Sequence, residues 1–143
     1  MSITYTESLT VEAYNGLRKS VNWSAFDESV AKKGLEHTAF MISANDEGVP
    51  VGMARVITDY GYIIYIADVV VRPDYQGKGI GRELMLKVMA YIAENTAPGQ
   101  RKFINLMSAP DKEGFYEKFG FIKRPNDKLG CGMTQWVQKE TLA

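Results

Sequence analysis

Glycines at positions 77, 79 and 81 mark the join between an apolar run and an amphipathic stretch. This join constrains the fold more than any other feature of the chain. The run, Tyr62 to Val71, is rich in Ile, Val and Tyr and reads as a central strand buried on both faces. A turn at Arg72-Pro73-Asp74-Tyr75 follows. From about Gly79 to Glu94, Ile80, Leu84, Val88 and Ile92 recur at helical spacing, with Met85 and Met89 beside them. A helix start leaves its first N–H groups without intrahelical partners and carries partial positive charge. Glycine removes the Cβ atoms that hold a ligand away from that backbone. The join is therefore expected to be an anion site suited to phosphate, with Lys78 and Arg82 at its rim.

The flanking segments predict an α+β order. Ile3 to Ser8 reads as a short edge strand. Thr10 reads as an N-cap, followed by Val11, Tyr14, Leu17 and Val21 at helical spacing. A second helix is expected from Ser24 to about Lys33, ending near Gly34. Thr38 to Asn45 and Val51 to Thr58 read as a hairpin around the turn residues Asn45-Asp46-Glu47-Gly48-Val49-Pro50. Phe103 to Met107 is expected as a strand and Asp111 to Lys118 as a short helix. Phe121 to Arg124 and Met133 to Gln138 are expected as final strands. The sheet should be mostly antiparallel, with one β–α–β crossover in the middle.

Two familiar phosphate loops do not match. The triphosphate pattern G-x-x-x-x-G-K-[ST] does not occur. The dinucleotide pattern G-x-G-x-x-G fails at Arg82 counting from Gly77, and at Leu84 counting from Gly79. Present instead is Q-x-x-G-x-G, from Gln76 to Gly81. With its strand, Pro-containing turn and helix, this segment resembles the acetyl-CoA motif [RQ]-x-x-G-x-[GA] of the GNAT superfamily of N-acetyltransferases. Glu113 to Phe121 is similar to a second signature of that superfamily, a helix ending in F-Y-x-x-x-G-F. The resemblance covers roughly Tyr62 to Phe121.

The resemblance implies a GNAT-like fold: a mixed, mostly antiparallel sheet of about six to seven strands flanked by helices. It implies acetyl-CoA as co-substrate. Gln76, Gly77, Lys78, Gly79, Ile80, Gly81 and Arg82 would hold the pyrophosphate, and the backbone of Val69, Val70 and Val71 the pantetheine arm. An amide near Val69 would polarise the acetyl carbonyl, and Asn105 would lie across the splay between the strands. Tyr116 would protonate the departing thiolate, since a phenol is protonated at neutral pH. Relatives of this kind often dimerise, so a homodimer is a further expectation.

Asp68 is the one acid in the apolar run, and a buried carboxylate needs a partner or a purpose. Two readings stand: a base that holds and deprotonates the acceptor ammonium, or a salt bridge to Arg55. In the superfamily the acceptor lies between the first two helices and the central strands. That region offers Trp23, Phe26 and Tyr65, an aromatic wall suited to an amine. Met53, Arg55, Tyr60 and Tyr62 lie in the same stretch. His37 reads as a surface residue. Cys131, flanked by glycines, is discounted as an acetyl-carrying nucleophile.

The chain has 143 residues, enough for one domain, 1–143, and 45% are apolar. Lys plus Arg equals Asp plus Glu at 17 each, which gives no electrostatic footprint for nucleic acid or an anionic membrane. One Cys and one His argue against a zinc site. The start, Met1-Ser2-Ile3-Thr4-Tyr5, lacks the regions of a signal peptide, so a cytoplasmic protein is expected. The combined reading is an N-acetyltransferase acting directly on a primary amine, a small molecule of polyamine-like or aralkylamine-like type. The rivals are a protein N-acetyltransferase, an acyl-CoA-binding sensor without activity, and a nucleotide-binding enzyme.

Overall fold

The structure, a computed structural model, describes residues 1–141. The chain divides into two compact units, Met1–Leu106 and Met107–Ala143.

The first unit runs β1 (Ile3–Thr6), α1 (Val11–Ser20), α2 (Glu28–Glu36), β2 (Phe40–Asp46), β3 (Val49–Thr58), β4 (Ile63–Val71), α3 (Ile80–Glu94) and β5 (Phe103–Leu106). A single 3-10 turn, Pro73–Tyr75, separates β4 from α3. The sheet order is β1-β2-β3-β4-β5. Neighbours from β1 to β4 pair antiparallel, and β5 joins β4 parallel after the α3 crossover. The mixed α+β character is as expected, but the sheet has five strands among the described residues, not six to seven.

Thr10 caps α1 as its sequence predicts, its hydroxyl accepting from the Ala13 N–H at 3.1 Å. The second helix starts later than Ser24. The Asn15 side chain accepts from the Phe26 N–H at 3.0 Å and donates to the Phe26 carbonyl at 2.9 Å, which holds that stretch out of helical geometry. Nor does α2 stop at Gly34. That glycine lies inside the helix, where an added Cβ would sit 3.8 Å from Arg55 Nη1.

Residues of β3 and β4 alternate between two faces. Ala54, Val56, Ile64 and Ile66 are buried on the face that meets α3, beside the stacked pair Phe40 and Tyr91. On the other face Met53 and Val70 pack with Tyr14, Leu17 and Ala31 of α1 and α2. The expectation that β4 is buried on both faces does not hold along its whole length. Cover on this second face stops short of Ile63, which is 44% exposed.

Gly52 is where β3 comes closest to its neighbours. A Cβ there would lie 3.1 Å from the Val70 carbonyl oxygen and 3.2 Å from Leu84 Cδ1. Backbone oxygen cannot rotate away, so Gly52→Ala is expected to cost roughly 1–3 kcal/mol. Urea unfolding measures this; a midpoint equal to the parent's would show that β3 and β4 separate freely.

The second unit contains α4 (Glu113–Glu117) and a terminal 3-10 turn, Lys139–Thr141. The strands expected at Phe121 to Arg124 and Met133 to Gln138 are irregular instead. Around the first, the chain closes on itself: the Asn126 carbonyl oxygen Oδ1 accepts from the Lys128 and Leu129 N–H groups at 3.0 Å each. In the second, Trp136 is 82% exposed. Alternating apolar residues form a strand only where a neighbour supplies a ladder.

Candidate active site

The loop after β4 is organised around backbone rather than side chains. Gly77 and Gly79 have φ of +77° and +82°, in the left-handed region where only glycine sits without cost. An added Cβ at either would meet nothing within 4 Å. Gly79 is the N-cap of α3 and gives no side-chain cap. The first helical bond runs from the Glu83 N–H to the Gly79 carbonyl at 3.1 Å. The N–H groups of Ile80, Gly81 and Arg82 therefore precede the ladder without intrahelical acceptors. Open space over two glycines and an uncapped helix start fit a diphosphate.

Side chains brace this loop. Gln76 Nε2 donates to the Val71 carbonyl at 2.9 Å, tying the loop to the end of β4. Tyr75 donates its hydroxyl to Asp46 Oδ2 at 2.7 Å, and Asp46 Oδ1 accepts from the Ser2 N–H at 3.2 Å. Those bonds, that to Tyr75 foremost, hold the Asp46 carboxyl below its usual range. Lys78 rests over the Tyr75 ring, 5.4 Å from its centroid. Arg82 faces Glu83 at 3.8 Å in the open, a pairing worth little. Both cations are exposed beside the loop.

β4 itself changes character at Asp68. Its pairing with β5 ends at Ile66 and Leu106, while the strand continues to Val71. From Ala67 to Val71, β4 has no strand partner on that side of the sheet among the described residues. On the other side the ladder pairs Arg55 with Ala67 and Met53 with Val70. Asp68 and Val69 thus face the single residue Ala54, which is a β-bulge. Asp68 has φ of +53°, a left-handed conformation that costs a non-glycine residue roughly 1–2 kcal/mol.

Three donors surround that carboxylate. Tyr14 donates to Oδ2 at 2.6 Å, Arg55 Nε to Oδ2 at 2.7 Å and Arg18 Nη1 to Oδ1 at 2.8 Å. Burial, then the bond to Asp68, pushes the Tyr14 hydroxyl up, so it stays a donor. Arg18 is anchored further by its Nε bond to the Ser24 carbonyl at 2.8 Å. Arg55 Nη1 reaches the Thr38 hydroxyl at 3.0 Å. The salt bridge to Arg55, one of the two readings of Asp68 from sequence, is present, and sequence reasoning missed Tyr14 and Arg18. The signal was available: Arg18 follows Tyr14 by four residues, a charge on the apolar face of α1.

A family model described as "Acetyltransferase (GNAT) domain" matches residues 7–134. The chain belongs to the GNAT acetyltransferases. Among its relatives is an uncharacterized N-acetyltransferase, ycf52, of Porphyra purpurea, 32% identical over 132 residues, covering 90% of this chain and 74% of that one. Another is serotonin N-acetyltransferase 2, chloroplastic, of Oryza sativa subsp. japonica, 30% identical over 82% of this chain and 59% of that one. The crystal structure of a Staphylococcus aureus protein of unknown function superposes with a TM-score of 0.83 at 29% identity, covering 94% of this chain and 100% of that one.

Within this family frame, Gln76, Gly77, Lys78, Gly79, Ile80, Gly81 and Arg82 lie together in the β4–α3 loop and first helical turn, beyond the free edge carrying Val69, Val70 and Val71. The expected acceptor residues are less open. Trp23 and Phe26 cover the Arg18 guanidinium, at 5.3 and 4.4 Å from their ring centroids. Tyr65 sits on β4 between Ile57 and Asn105. Asn105 therefore lies inside the paired ladder, not across the splay, because the strands separate only beyond Leu106. Tyr116 belongs to the second unit, on α4, edge-on to Phe115 with centroids 5.0 Å apart. It is 8% exposed, and burial pushes its hydroxyl up to about 12. Cys131 is exposed, and the His37 ring Nδ1 bonds back to the Lys33 carbonyl at 2.9 Å. No group of His, Cys, Asp or Glu suited to a metal ion occurs among the described residues.

Proposed function

We propose that the chain transfers the acetyl group of acetyl-CoA directly to the primary amine of a small molecule. One observation carries the reading: the unpaired edge of β4, from Ala67 to Val71, leads into an uncapped helix start behind two open glycines. Such an edge suits an extended pantetheine with its amides, and such a helix start suits the pyrophosphate. The amine nitrogen bonds to the carbonyl carbon and the carbon–sulfur bond breaks; the nitrogen gives up one proton to water and the thiolate takes one from Tyr116. Chain residues contribute positioning, an amide at the Asp68–Val69 bulge that polarises the carbonyl, and Tyr116 as proton donor. The family model spans both compact units, 7–134, which supports one N-acetyltransferase domain built from the two.

The charge around β4 bears on the acceptor. Asp68 is already matched by two guanidinium groups within 2.8 Å. A polycation gains no free carboxylate there, so the aralkylamine-like reading is favoured over the polyamine-like one. The serotonin N-acetyltransferase among the relatives supports the same class.

Thermal unfolding with acetyl-CoA, CoA, ATP and NAD in parallel tests the co-substrate. At about one hundred times its Kd a ligand adds about 2.7 kcal/mol. Stabilisation by both CoA forms alone is expected, followed by CoA release with aralkylamines and little with polyamines. A shift with ATP or NAD only would overturn the reading. Binding of acetyl-CoA without CoA release from any amine or basic peptide would instead support a sensor.

A further inference from the structure

We propose that Asp68 is a positioning residue: Tyr14, Arg18 and Arg55 clamp its carboxylate so that its backbone stays left-handed and fixes the bulge amide. The inference rests on the acetyl-transfer reading only in its kinetic consequence. Its structural half stands on the geometry of the free protein.

The bulge needs an explanation, because nothing in the backbone favours it. Asp68 is not a glycine, yet its φ is +53° in the middle of a strand. Aspartate tolerates this region better than most residues, but a bulge of this kind more often has glycine there. Something must hold the conformation from outside. The three donors do so from two directions: Tyr14 and Arg18 come from α1, and Arg55 from the neighbouring strand β3. Each donor is itself fixed. Tyr14 is buried in the core, Arg18 is held by the Ser24 carbonyl and aromatic rings, and Arg55 by Thr38 and the Gly34 carbonyl. The clamp thus transmits the placement of α1 to the backbone at positions 68 and 69.

The same geometry speaks against Asp68 as the base. Both oxygens are committed at 2.6 to 2.8 Å to protein donors. The acceptor site that remains is on Oδ1, beside the Arg18 guanidinium, whose charge repels an ammonium.

The test compares Asp68→Ala with Asp68→Gly. Both lose the same three hydrogen bonds, so lost contacts and stranded arginines are common to the two. Only glycine adopts a left-handed φ without strain. Cross-strand nuclear Overhauser contacts between Met53 and Val70 report the bulge register in the free protein. They should persist in the Gly variant and weaken or move in the Ala variant. Turnover should fall about 30-fold in Asp68→Ala and recover about tenfold of that in Asp68→Gly, with the acetyl-CoA Kd within about threefold in both. Arg18→Leu should lower turnover about fivefold in the parent and less than about twofold in the Asp68→Gly background.

Equal, complete loss of turnover in Ala and Gly with the register intact in both would mean that the carboxylate acts chemically, and the proposal fails. An unchanged register in Asp68→Ala would also overturn it, since the clamp would then not be needed. If the parent fails to bind acetyl-CoA, the transfer reading falls, while the register comparison still decides whether the clamp sets the bulge.

Discussion

Replacing Gly79 with valine raises the Kd for acetyl-CoA about 100-fold, equivalent to about 2.7 kcal/mol. Two effects add. Gly79 has φ of +82°, and a left-handed β-branched residue costs roughly 1–2 kcal/mol or leaves that region altogether. Its side chain also enters the open space above the first turn of α3, where a phosphate must approach the backbone. Gly99→Val is the control. Gly99 has φ of +84° but lies in the turn after α3, so it should lose stability and keep affinity. Titration calorimetry separates the two. A Gly79→Val Kd within about threefold of the parent would remove the loop from the co-substrate site.

Tyr116→Phe lowers turnover about 100-fold while leaving acetyl-CoA affinity near the parent value, the size expected for loss of one general acid. The variant has a second signature that does not depend on catalysis. Burial raises the hydroxyl from its ordinary value of 10.0 to about 12 in the folded chain. The folded state therefore favours the neutral phenol. Its contribution is fully present below about pH 10 and is lost as pH rises toward about 12, on the order of 2–3 kcal/mol. Tyr5, Tyr14 and Tyr91 are raised too, with burial the largest cause, so the difference between parent and Phe variant isolates Tyr116. Denaturant unfolding at pH 9 and pH 11.5 should show a flatter alkaline loss in the variant. Parallel losses would mean that the hydroxyl reaches water.

The parts of the site that are local in the chain were legible in the sequence. The Gly77, Gly79 and Gly81 spacing, the turn at Pro73 and the helix from Ile80 are neighbours along the backbone, and glycine states its own geometry. Thr10 as a cap is of the same kind. What was illegible depends on distant partners. Asp68 could be read as base or bridge because its neighbours on the strand are apolar. Its donors lie 13, 50 and 54 residues away. The start of α2 was misread because Asn15, eleven residues upstream, takes both backbone groups of Phe26. The final strands failed for the opposite reason: the alternation at Met133 to Gln138 is real, but alternation does not provide a neighbouring ladder. Asn105 was misplaced because no pattern in β5 says where its pairing with β4 stops.

The interrupted ladder of β4 also has a consequence for solubility. A row of unpaired N–H and C=O groups is a template onto which another chain can zip, and long flat edges invite aggregation. Here that row is five residues long, from Ala67 to Val71, and the bulge at Asp68 falls near its start. A bulge bends the strand and strengthens its twist, so a straight intruding strand loses register after one or two bonds. A short, flexible ligand can follow the bend where a second polypeptide cannot. The kink that gives the site its shape therefore also guards the protein against polymerising through it.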